Sequence, residues 1–592
     1  MKSLLHLNKY LYKYRVRLLS GLLFVSLSAW LGVYSVQFLT DSLDWVCKNI
    51  SQSSGFLPVA ITHLTKLGVL FFALKIVSGI FMFLTRQAII VTSRLIEYDL
   101  KNEVFEHYQK LDLAFYKRNN TGDLMNRISE DVSSVRNYVG PAIMYTTNMV
   151  TVVTFTLIYM IKINFIYTLY VFTPFPLLYL SVYYISNLIN KRSTSVKQQL
   201  SVLFSKAQES FSGIRVIKSY MLEKTLVKDF EKECLDYKKK NMYLVNADAL
   251  FQPFMMFLIG ISQILIIYIG GRQMLLGIIT SGSVLAFMIY VNNLIMPVAS
   301  VGYITSLVQK AAASQTRINE FLETEPTIKS EDEKEIEVQG ELEFSNVTFV
   351  YPDTGIKALA DVSFKVSKQE SLGIVGRTGS GKSTIAQLIC RLYDTTSGII
   401  WVDGKNIRRI PLSSLRSRVG YVPQEVFLFS DTIAANISFS VDRNKDELRK
   451  KVEQSAKDAA IYDNIMEFND GFDTFVGERG VTLSGGQKQR VSIARAMLKM
   501  PQILVLDDCL SAVDTNTEQE ILFNLRKYMD GRTTVIISHR VSSVKMCDKI
   551  LVLEHGKVAE YGTHKELIAA NKHYHEMYEM QLAEELQTDK IE

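Results

Sequence analysis

The chain has 592 residues, of which 48% are hydrophobic and 21% are charged, and its mean hydropathy is +0.11. That length predicts several domains, and the composition fits membrane spans joined to an ordinary soluble domain better than either alone. The net charge is +6, but the basic residues lie beside apolar spans and do not gather in one patch. This distribution argues for membrane topology and against a nucleic-acid partner.

Six apolar stretches come before residue 320. Each is long enough to cross a hydrocarbon core of about 30 Å, which takes roughly 20 helical residues. Only Lys162 separates the third from the fourth, which predicts a tight hairpin. The sequence predicts a transmembrane domain over 1–320, with spans near 18–39, 60–84, 139–161, 163–187, 249–271 and 283–307.

Charge predicts the orientation of these spans. Residues 1–17 carry five basic residues and lead into an apolar run without a small-residue cleavage site, so we expect a first membrane helix and not a signal peptide. The polar segments 85–138 and 188–246 are basic, helix-prone and on the same side as this N-terminus. The positive-inside rule makes that side cytoplasmic. This half alone does not exclude a six-helix channel or a secondary transporter.

Cysteine usage adds no metal or disulfide framework. None of the five cysteines forms a CxxC pair, and only Cys47 is expected to face outward. Neither a disulfide scaffold nor a zinc site is therefore indicated. The cysteines are Cys47, Cys234, Cys390, Cys509 and Cys547.

The character of the chain changes near residue 320. Residues 321–340 are polar and acidic, and predict a linker. Residues 341–580 alternate strand-like runs with helical segments, which predicts an α/β domain with a largely parallel sheet. A polar tail is expected over 581–592. The strand-like runs are ELEFSNVTFVY, SLGIVG, QILVLDD, TTVIIS and KILVLEHGKVAEYG.

A glycine-rich loop, GRTGSGKST, follows the strand SLGIV and precedes the helical segment STIAQLICRLY. Glycines let the backbone wrap phosphates, while amide N–H groups and the helix N-terminus attract them. Lys382 would supply positive charge at the β- and γ-phosphates, and Ser383 a hydroxyl for Mg²⁺. The predicted phosphate-binding residues are Gly376, Arg377, Thr378, Gly379, Ser380, Gly381, Lys382, Ser383 and Thr384.

A second element, the apolar strand ILVLDD, ends in acid. Asp507 is predicted to hold Mg²⁺ through water, the second acidic partner that such loops require. The two motifs together predict a nucleoside triphosphatase that uses Mg²⁺, without saying which kind.

The sequence LSGGQKQR, Leu483–Arg490, narrows the kind. Together with the phosphate loop and ILVLDD it resembles the signature of ATP-binding cassette (ABC) ATPases. SGGQ is also an ordinary helix N-terminus after a glycine-rich turn, and amides at such an end are suited to clasp a γ-phosphate. The resemblance implies ATP binding by Ser484, Gly485, Gly486 and Gln487.

Five further segments resemble the family one by one. Tyr351 in FVYP looks like the aromatic residue that stacks on adenine, and Gln424 in YVPQE like the glutamine that senses Mg²⁺. His539 in ISHR resembles the switch histidine at the γ-phosphate. SAVD, Ser511–Asp514, resembles the loop that crosses to the opposite site, and GERG, Gly477–Gly480, a segment of exporters. The resemblance assigns catalysis to Asp508, His539 and Gln424, and metal binding to Ser383, Gln424 and Asp507.

The membrane half carries FYKRNNTGDLMNRISEDV and ESFSGIRVIKSYMLE, which resemble the coupling segments of six-helix ABC exporters. The resemblance implies a half-transporter that pairs with a second one and binds ATP between the phosphate loop of one chain and the SGGQ of the other. Short helices around Phe115–Leu124 and Gly213–Lys218 are expected to dock onto ATPase domains. The implied function is export of an amphipathic drug-like compound, a peptide or a lipid across the cell membrane of a bacterium. An ATP-gated channel or regulator is the alternative.

Asp508 departs from the pattern, because active members of this family usually carry Glu there. A carboxylate one carbon shorter is set back from the attacking water, and about 1 Å of misplacement can lower a rate on the order of 100-fold. A homodimer would combine two impaired sites with two intact signatures. The sequence therefore resembles the Asp-bearing subunit of heterodimeric multidrug exporters, whose partner carries Glu. A homodimer in which Asp suffices at low turnover is the alternative.

Lys75 lies inside the second predicted span, where a lysine is unfavourable by at least ~2.5 kcal/mol on insertion scales. It is expected to face a wet cavity or an acidic partner. Contact with anionic or carbonyl groups of a substrate and a structural ion pair or snorkelling remain equally open.

Overall fold

Two units make up the chain. The helical unit comprises Met1–Gln109 and Gly122–Thr324, and the α/β unit comprises Lys110–Thr121 and Glu325–Glu592. The predicted fold class, an all-α membrane domain followed by an α/β domain, is confirmed. The computed structural model describes residues 2–49, 56–330, 334–441, 447–477, 480, 482–510 and 515–588.

The segment Lys110–Thr121 lies within the predicted transmembrane domain, but in the structure it clusters with the α/β unit, although it lies far upstream in sequence. Its helix buries Ala114 in the same apolar cluster as Leu342 and Phe344. The carboxylate of Asp112 caps this helix by accepting from the N–H of Phe115, and it also accepts from the N–H of Thr327 at 2.9 Å.

The helical unit is built from long helices joined by short turns. Its α-helices are α1 Asn8–Lys13, α2 Arg15–Asn49, α3 Phe56–Thr85, α4 Val91–Lys110, α6 Thr121–Asn126, α7 Val132–Asn137, α8 Ile143–Ile163, α9 Phe165–Val171, α10 Phe175–Ser212, α11 Ile214–Ser219, α12 Glu223–Leu275 and α13 Ser281–Leu322, with α5 Leu113–Arg118 in the α/β unit. The remaining helical turns are a 3₁₀ turn at Lys2–Leu7 and π-helical segments at Arg86–Ile90, Arg127–Asp131 and Tyr138–Ala142.

Among the described residues, five helices are long and apolar enough to cross a membrane. The fourth predicted span, 163–187, is not one continuous helix but is split between α9 and α10. Pro174 precedes α10 and Pro176 lies in its first turn. Because proline lacks an N–H and its ring clashes with the preceding turn, the helix breaks here. The turn after α8 falls at Asn164, whose side chain accepts from the N–H of Tyr167.

The core of the helical unit gathers apolar side chains from several of these helices. Tyr167 and Phe287 are fully buried with ring centroids 4.2 Å apart, and the Tyr167 hydroxyl donates to the carbonyl of Ile266 at 2.6 Å. Since a buried hydroxyl without an acceptor is unfavourable, this bond lets an aromatic with a polar end sit among apolar neighbours.

Twelve strands are described in the α/β unit. They are β1 Leu342–Val350, β2 Lys357–Val366, β3 Ser371–Val375, β4 Ser397–Val402, β5 Lys405–Asn406, β6 Val419–Val422, β7 Asp431–Thr432, β8 Phe475–Val476, β9 Ile503–Asp507, β10 Thr533–Ile537, β11 Lys549–Glu554 and β12 Lys557–Gly562.

The main sheet has the order β12-β11-β3-β10-β9-β6, and its neighbours are parallel except for β12. A second, antiparallel sheet has the order β2-β1-β4-β5. Strand β9 shows why the main sheet is apolar throughout. Ile503 and Val505 enter one buried cluster, and Leu504 and Leu506 the other, so both faces are covered.

Helices cover both faces of the main sheet, and a helix is the last described element. They are α14 Lys382–Ile389, α15 Leu412–Arg418, α16 Ile433–Ile437, α17 Leu448–Asp458, α18 Tyr462–Met466, α19 Gly485–Leu498, α20 Thr515–Met529, α21 Val541–Val544, α22 His564–Ala570 and α23 His573–Thr588, with 3₁₀ turns at Ile407–Arg409, Ser438–Ser440 and Gly471–Asp473. Residues 581–588, predicted as part of a polar tail, continue α23.

Candidate nucleotide-binding site

Four parallel strands deliver the predicted site residues to one edge of the main sheet. Strand β3 runs into the glycine-rich loop, β9 ends at Asp507, and β10 and β6 are followed closely by His539 and Gln424. Because these strands are parallel neighbours, their carboxyl ends share an edge, where α/β sheets place their ligands.

The glycine-rich loop has a backbone that side chains would obstruct. Gly379 and Gly381 have φ values of 80° and 98°. A Cβ at Gly381 would lie 2.4 Å from the carbonyl oxygen of Ala358, and one at Gly376 would lie 2.2 Å from that of Leu553. Only glycine fits such a close approach of two backbones.

Lys382 closes this loop on itself. Its Nζ donates to the carbonyl oxygens of Gly376 at 2.7 Å and Arg377 at 3.0 Å, and the residue is only 6% exposed. Burial lowers the pKa of Lys382 to about 8, against the opposing charges of Asp508 and Asp507. The ammonium is thus held at the mouth of the loop by backbone carbonyls, where a phosphate could replace them.

Ser383 and Asp507 form a hydroxyl–carboxylate pair. The Ser383 Oγ donates to Asp507 Oδ1 at 2.9 Å, and the Tyr421 hydroxyl donates to Asp507 Oδ2 at 3.4 Å. Burial raises the pKa of Asp507, while these two donors oppose the shift. Tyr421 was not predicted as a site residue, although it lies three residues before Gln424.

Ser383 and Asp507 fit a site for a magnesium ion that is also coordinated by the phosphates of a nucleotide. Within the part of the chain that the structure describes, no group of three or more His, Cys, Asp or Glu side chains is arranged to hold a metal. Mg²⁺ commonly takes one or two carboxylates and completes its shell with phosphate oxygens and water. One hydroxyl and one carboxylate beside a phosphate loop match that requirement.

Asp508 follows directly and turns the chain sharply. Its φ is 45°, a left-handed conformation that Asp and Asn tolerate better than most residues. Its N–H donates to the carbonyl of Ile537 at 2.8 Å, and its Oδ2 accepts from Gln424 Nε2 at 3.2 Å. The structure therefore places Gln424 against Asp508.

His539 lies across the loop from these carboxylates. Its Nδ1 is 3.4 Å from Lys382 Nζ. Burial lowers the pKa of His539, the charge of Lys382 lowers it further, and Asp508 opposes both. The imidazole is therefore neutral near pH 7, with a ring nitrogen directed at the lysine.

Tyr351 borders the other end of the loop. Its hydroxyl lies 3.0 Å from Thr384 Oγ1 and donates to Gln387 Oε1 at 3.2 Å. Lys117 Nζ, on α5, lies 4.9 Å from the centre of the Tyr351 ring and 5.4 Å from that of Tyr393. Sequence reasoning missed Lys117, although the coupling segment FYKR that contains it was singled out.

The SGGQ residues lie elsewhere, at the start of α19. Ser484 caps this helix through a capping box, in which its Oγ accepts from the N–H of Gln487 and its own N–H donates to Gln487 Oε1 at 2.9 Å. Ser484 and Gly485 are exposed, and no acidic residue occupies the first turn. An exposed helix start of this kind attracts anions.

The structure thus joins most predicted site residues and leaves others apart. It brings together the phosphate loop, Gln424, Asp507, Asp508 and His539, whereas Ser484 and Gln487 bind each other at the start of α19. Ser511–Asp514, together with Glu478 and Arg479, lie outside the described residues.

Family models match both units. A model described as the ABC transporter transmembrane region matches residues 18–298, and one described as ABC transporter matches residues 359–511. The second match includes the phosphate loop, Gln424, Ser484 to Gln487, and Asp507 with Asp508.

Full-length relatives are similar along most of their length. The probable multidrug resistance ABC transporter ATP-binding/permease protein YheI of Bacillus subtilis (strain 168) is 36% identical over 515 residues, covering 85% of this chain and 88% of the relative. The ATP-dependent lipid A-core flippase of Syntrophus aciditrophicus (strain SB) is 34% identical over 501 residues, covering 82% and 80%.

A solved structure is similar as well. The structure of a bacterial Atm1-family ABC exporter with ATP bound superimposes with a TM-score of 0.77 and 27% sequence identity. The match covers 96% of this chain and 98% of that one.

Proposed function

Because the chain belongs to the ABC transporter family and combines the exporter-type transmembrane and ATP-binding domains of one half-transporter, we propose that it is the low-turnover half of a heterodimeric exporter. ABC exporters of this kind couple ATP hydrolysis to transport across a membrane. The observation that carries the finer proposal is Asp508, in a site that otherwise has its loop, lysine and metal pair.

Because of Asp508, the site built on this chain's own phosphate loop retains ATP and hydrolyses it slowly. Its short side chain accepts from Gln424 at 3.2 Å and is set back from the position that a glutamate would reach. Lys382 and the amides of the loop bind the phosphates, and Ser383 and Asp507 hold Mg²⁺. ATP stays bound there and is hydrolysed slowly, since the attacking water lacks a well-placed base.

The signature helix α19 serves the partner's ATP. Ser484 and Gly485 are exposed at the start of α19, and a second chain completes the site that they form. That partner carries Glu at the position matching Asp508 and has a weakened signature. The two chains together then contain one site that hydrolyses ATP productively and one that retains it. ATP closes the two ATPase domains onto each other because it binds the closed state better than the open one.

The substrate is an amphipathic compound of the drug, peptide or lipid class. Support comes from the relatives, which are described as a multidrug resistance transporter in one case and as a lipid A-core flippase in another. The chain is a multi-pass protein of the bacterial cell membrane, with its N-terminus and α/β unit in the cytoplasm, as the basic residues of 85–138 and 188–246 indicate.

Coupling requires that movement of the α/β units reach the membrane helices. Helix α11 presents an apolar surface at its end, where Tyr220 and Met221 are strongly exposed. The α/β unit presents an exposed aromatic cluster, in which Phe429 and Phe439 stack with centroids 4.4 Å apart. We assign α11 to contact such a cluster on the partner, and α5 to contact the α/β unit of its own chain, where Ala114 is buried.

Substitution of Gly213 tests this coupling. Gly213 has φ −91° at the break between α10 and α11, and its Cβ would lie 3.1 Å from the carbonyl of Glu209, so Gly213→Trp should displace α11 and leave the ATP site intact. Transport should fall at least about tenfold with unchanged ATP binding. Gly271→Trp, where a Cβ would meet nothing within 4 Å, is the matched control. Normal transport by Gly213→Trp would contradict the assignment.

An ATP-gated channel on the same scaffold differs from a pump because its conduction does not require continuous ATP hydrolysis. The chain and a Glu-bearing ABC partner, reconstituted in proteoliposomes, should show ATPase activity that rises with transported amphipathic compounds. Ion conductance that requires ATP binding but proceeds without turnover would refute export.

A further inference from the structure

The C-terminal helix α23 is anchored to the α/β unit by one of its faces. His573 Nε2 lies 3.3 Å from Glu554 Oε2, and Tyr574 is fully buried with its hydroxyl 2.8 Å from His564 Nδ1. Met577 and Tyr578 pack against the same apolar cluster as Tyr574. Residues three, four and seven positions apart share a helix face, so the next inward position after these is residue 581.

Gln581, where the pattern calls for an apolar residue, meets the backbone that carries His539. Its Nε2 donates to the carbonyl oxygen of His539 at 2.7 Å, and its Oε1 accepts from the N–H of Val541 at 2.7 Å. One amide side chain thus satisfies a backbone acceptor and a backbone donor on either side of Arg540. Both hydrogen bonds are partly buried, and a backbone group that is shielded from water is unfavourable without a partner.

Glu518, on α20, binds two side chains of the same backbone segment. It is 3% exposed and accepts from the guanidinium of Arg540 and from Ser543 Oγ at 2.6 Å. The segment from His539 to Ser543 is therefore fixed by α20 and by α23. Of these two contacts, the one from Gln581 reaches the peptide carbonyl of His539 itself.

A cavity of about 240 Å³ separates part of α23 from the start of the phosphate loop. The two hydrogen bonds of Gln581 to the backbone at His539 and Val541 link α23 directly to the histidine segment. The cavity is lined by, among others, Gly376, Arg377, Glu554, His573, Met577 and Gln581.

We propose that Gln581 is a positioning residue for His539, through which the C-terminal helix sets how long ATP is retained at this chain's phosphate loop. The proposal rests on the proposed ATP site. The imidazole already lies 3.4 Å from Lys382 Nζ, so a small displacement of its backbone would move it out of reach of a γ-phosphate. Gln581 acts through His539 and does not itself touch nucleotide.

A double-mutant cycle tests the proposal in the full-length chain paired with its Glu-bearing partner. The variants are Gln581→Met, which keeps size and helix but removes both hydrogen bonds, Gln581→Ala, His539→Ala and the double variant Gln581→Met with His539→Ala. Glu579→Ala, an exposed position on the same helix, is the control. The readout is the release of radiolabelled azido-ATP that cross-links to this chain, followed after a chase with unlabelled ATP.

We expect Gln581→Met to release ATP about tenfold faster, which corresponds to roughly 1.4 kcal/mol of lost ATP retention. The double variant should match His539→Ala, because coupled residues are not additive, and Glu579→Ala should match the wild type. Additive effects, or release by Gln581→Met at the wild-type rate, would overturn the proposal. If Gln581→Ala fails to fold, Gln581→Met decides; a wild-type chain that retains no ATP would refute the proposed function itself.

Discussion

The two units differ in how fully the contacts of their functional side chains are supplied by this chain. In the α/β unit, Lys382, Asp507 and Asp508 each have a recorded partner at the same sheet edge. In the helical unit, the intramembrane cation Lys75 is exposed and donates to the backbone carbonyl of Gly32 at 3.2 Å, with its Nζ 5.6 Å from the ring centre of Phe71.

We infer from this difference that the phosphate loop binds ATP largely through residues of this chain, and we propose that substrate recognition depends on surfaces shared with the second half-transporter. An ammonium has three donors, and one backbone carbonyl satisfies only part of that capacity in a low-dielectric setting. Changes in the α/β unit should therefore alter ATP handling whatever the substrate, and changes at Lys75 should alter the substrate profile with ATP binding unchanged.

Lys382→Ala should have the largest effect. Losing a charged donor to phosphate is unfavourable by roughly 3 kcal/mol, or about 100-fold in ATP affinity at this chain's site. Titration of azido-ATP labelling of this chain measures it. Binding of a fluorescent substrate to the membrane half should stay as in the wild type; a parallel loss there would break the division between the units.

Asp508→Glu should have the next largest effect, in the opposite direction. The longer carboxylate reaches the attacking water, so single-turnover hydrolysis at this site should rise between about tenfold and 100-fold. The φ of 45° limits the gain, because glutamate adopts it less readily than aspartate. Asp508→Asn is the control and should remain slow. A Glu variant as slow as the Asn variant would mean that Asp508 is not what limits the site.

Alkaline pH should weaken ATP binding. Burial lowers the pKa of Lys382 to about 8 in the empty site, and bound phosphates favour its charged form. Affinity should therefore be constant below pH 8 and fall about tenfold per unit as pH rises above it. His539, whose pKa is lowered from 6.5, does not titrate in this range. Binding that is unchanged up to pH 9.5 would show that Lys382 keeps its charge.

Lys75→Met should have the smallest effect and the most selective one. If the cation contacts substrate, export of anionic amphiphiles should fall about fivefold, in the range of one exposed charged contact, while cationic amphiphiles are exported as before. Lys75→Arg, which keeps the charge, is the matched control. An unchanged substrate profile would favour the structural interpretation, in which the bond to Gly32 satisfies the lysine.

Local motifs allowed the α/β unit to be predicted closely, because a loop between a strand and a helix depends on residues adjacent in sequence. The Ser383 Oγ donates to Asp507 Oδ1 at 2.9 Å, and the role of both residues in holding Mg²⁺ stays a prediction. The break at Phe172–Pro174 was missed, because hydropathy continues through Pro174 and Pro176 although the helix cannot. Gln581 was also missed, since it meets His539 42 residues away and no local pattern encodes that contact.

The heterodimer claim is tested most directly by purifying this chain alone and together with a Glu-bearing ABC partner, then measuring substrate-stimulated ATP hydrolysis. We expect ATP binding with slow hydrolysis by the chain alone, and brisk, stimulated hydrolysis only in the pair. We also expect the pair to stay active when Asp508 is replaced by Asn, because the productive ATP lies on the partner's phosphate loop. Brisk, substrate-stimulated hydrolysis by a homodimer of this chain would contradict it.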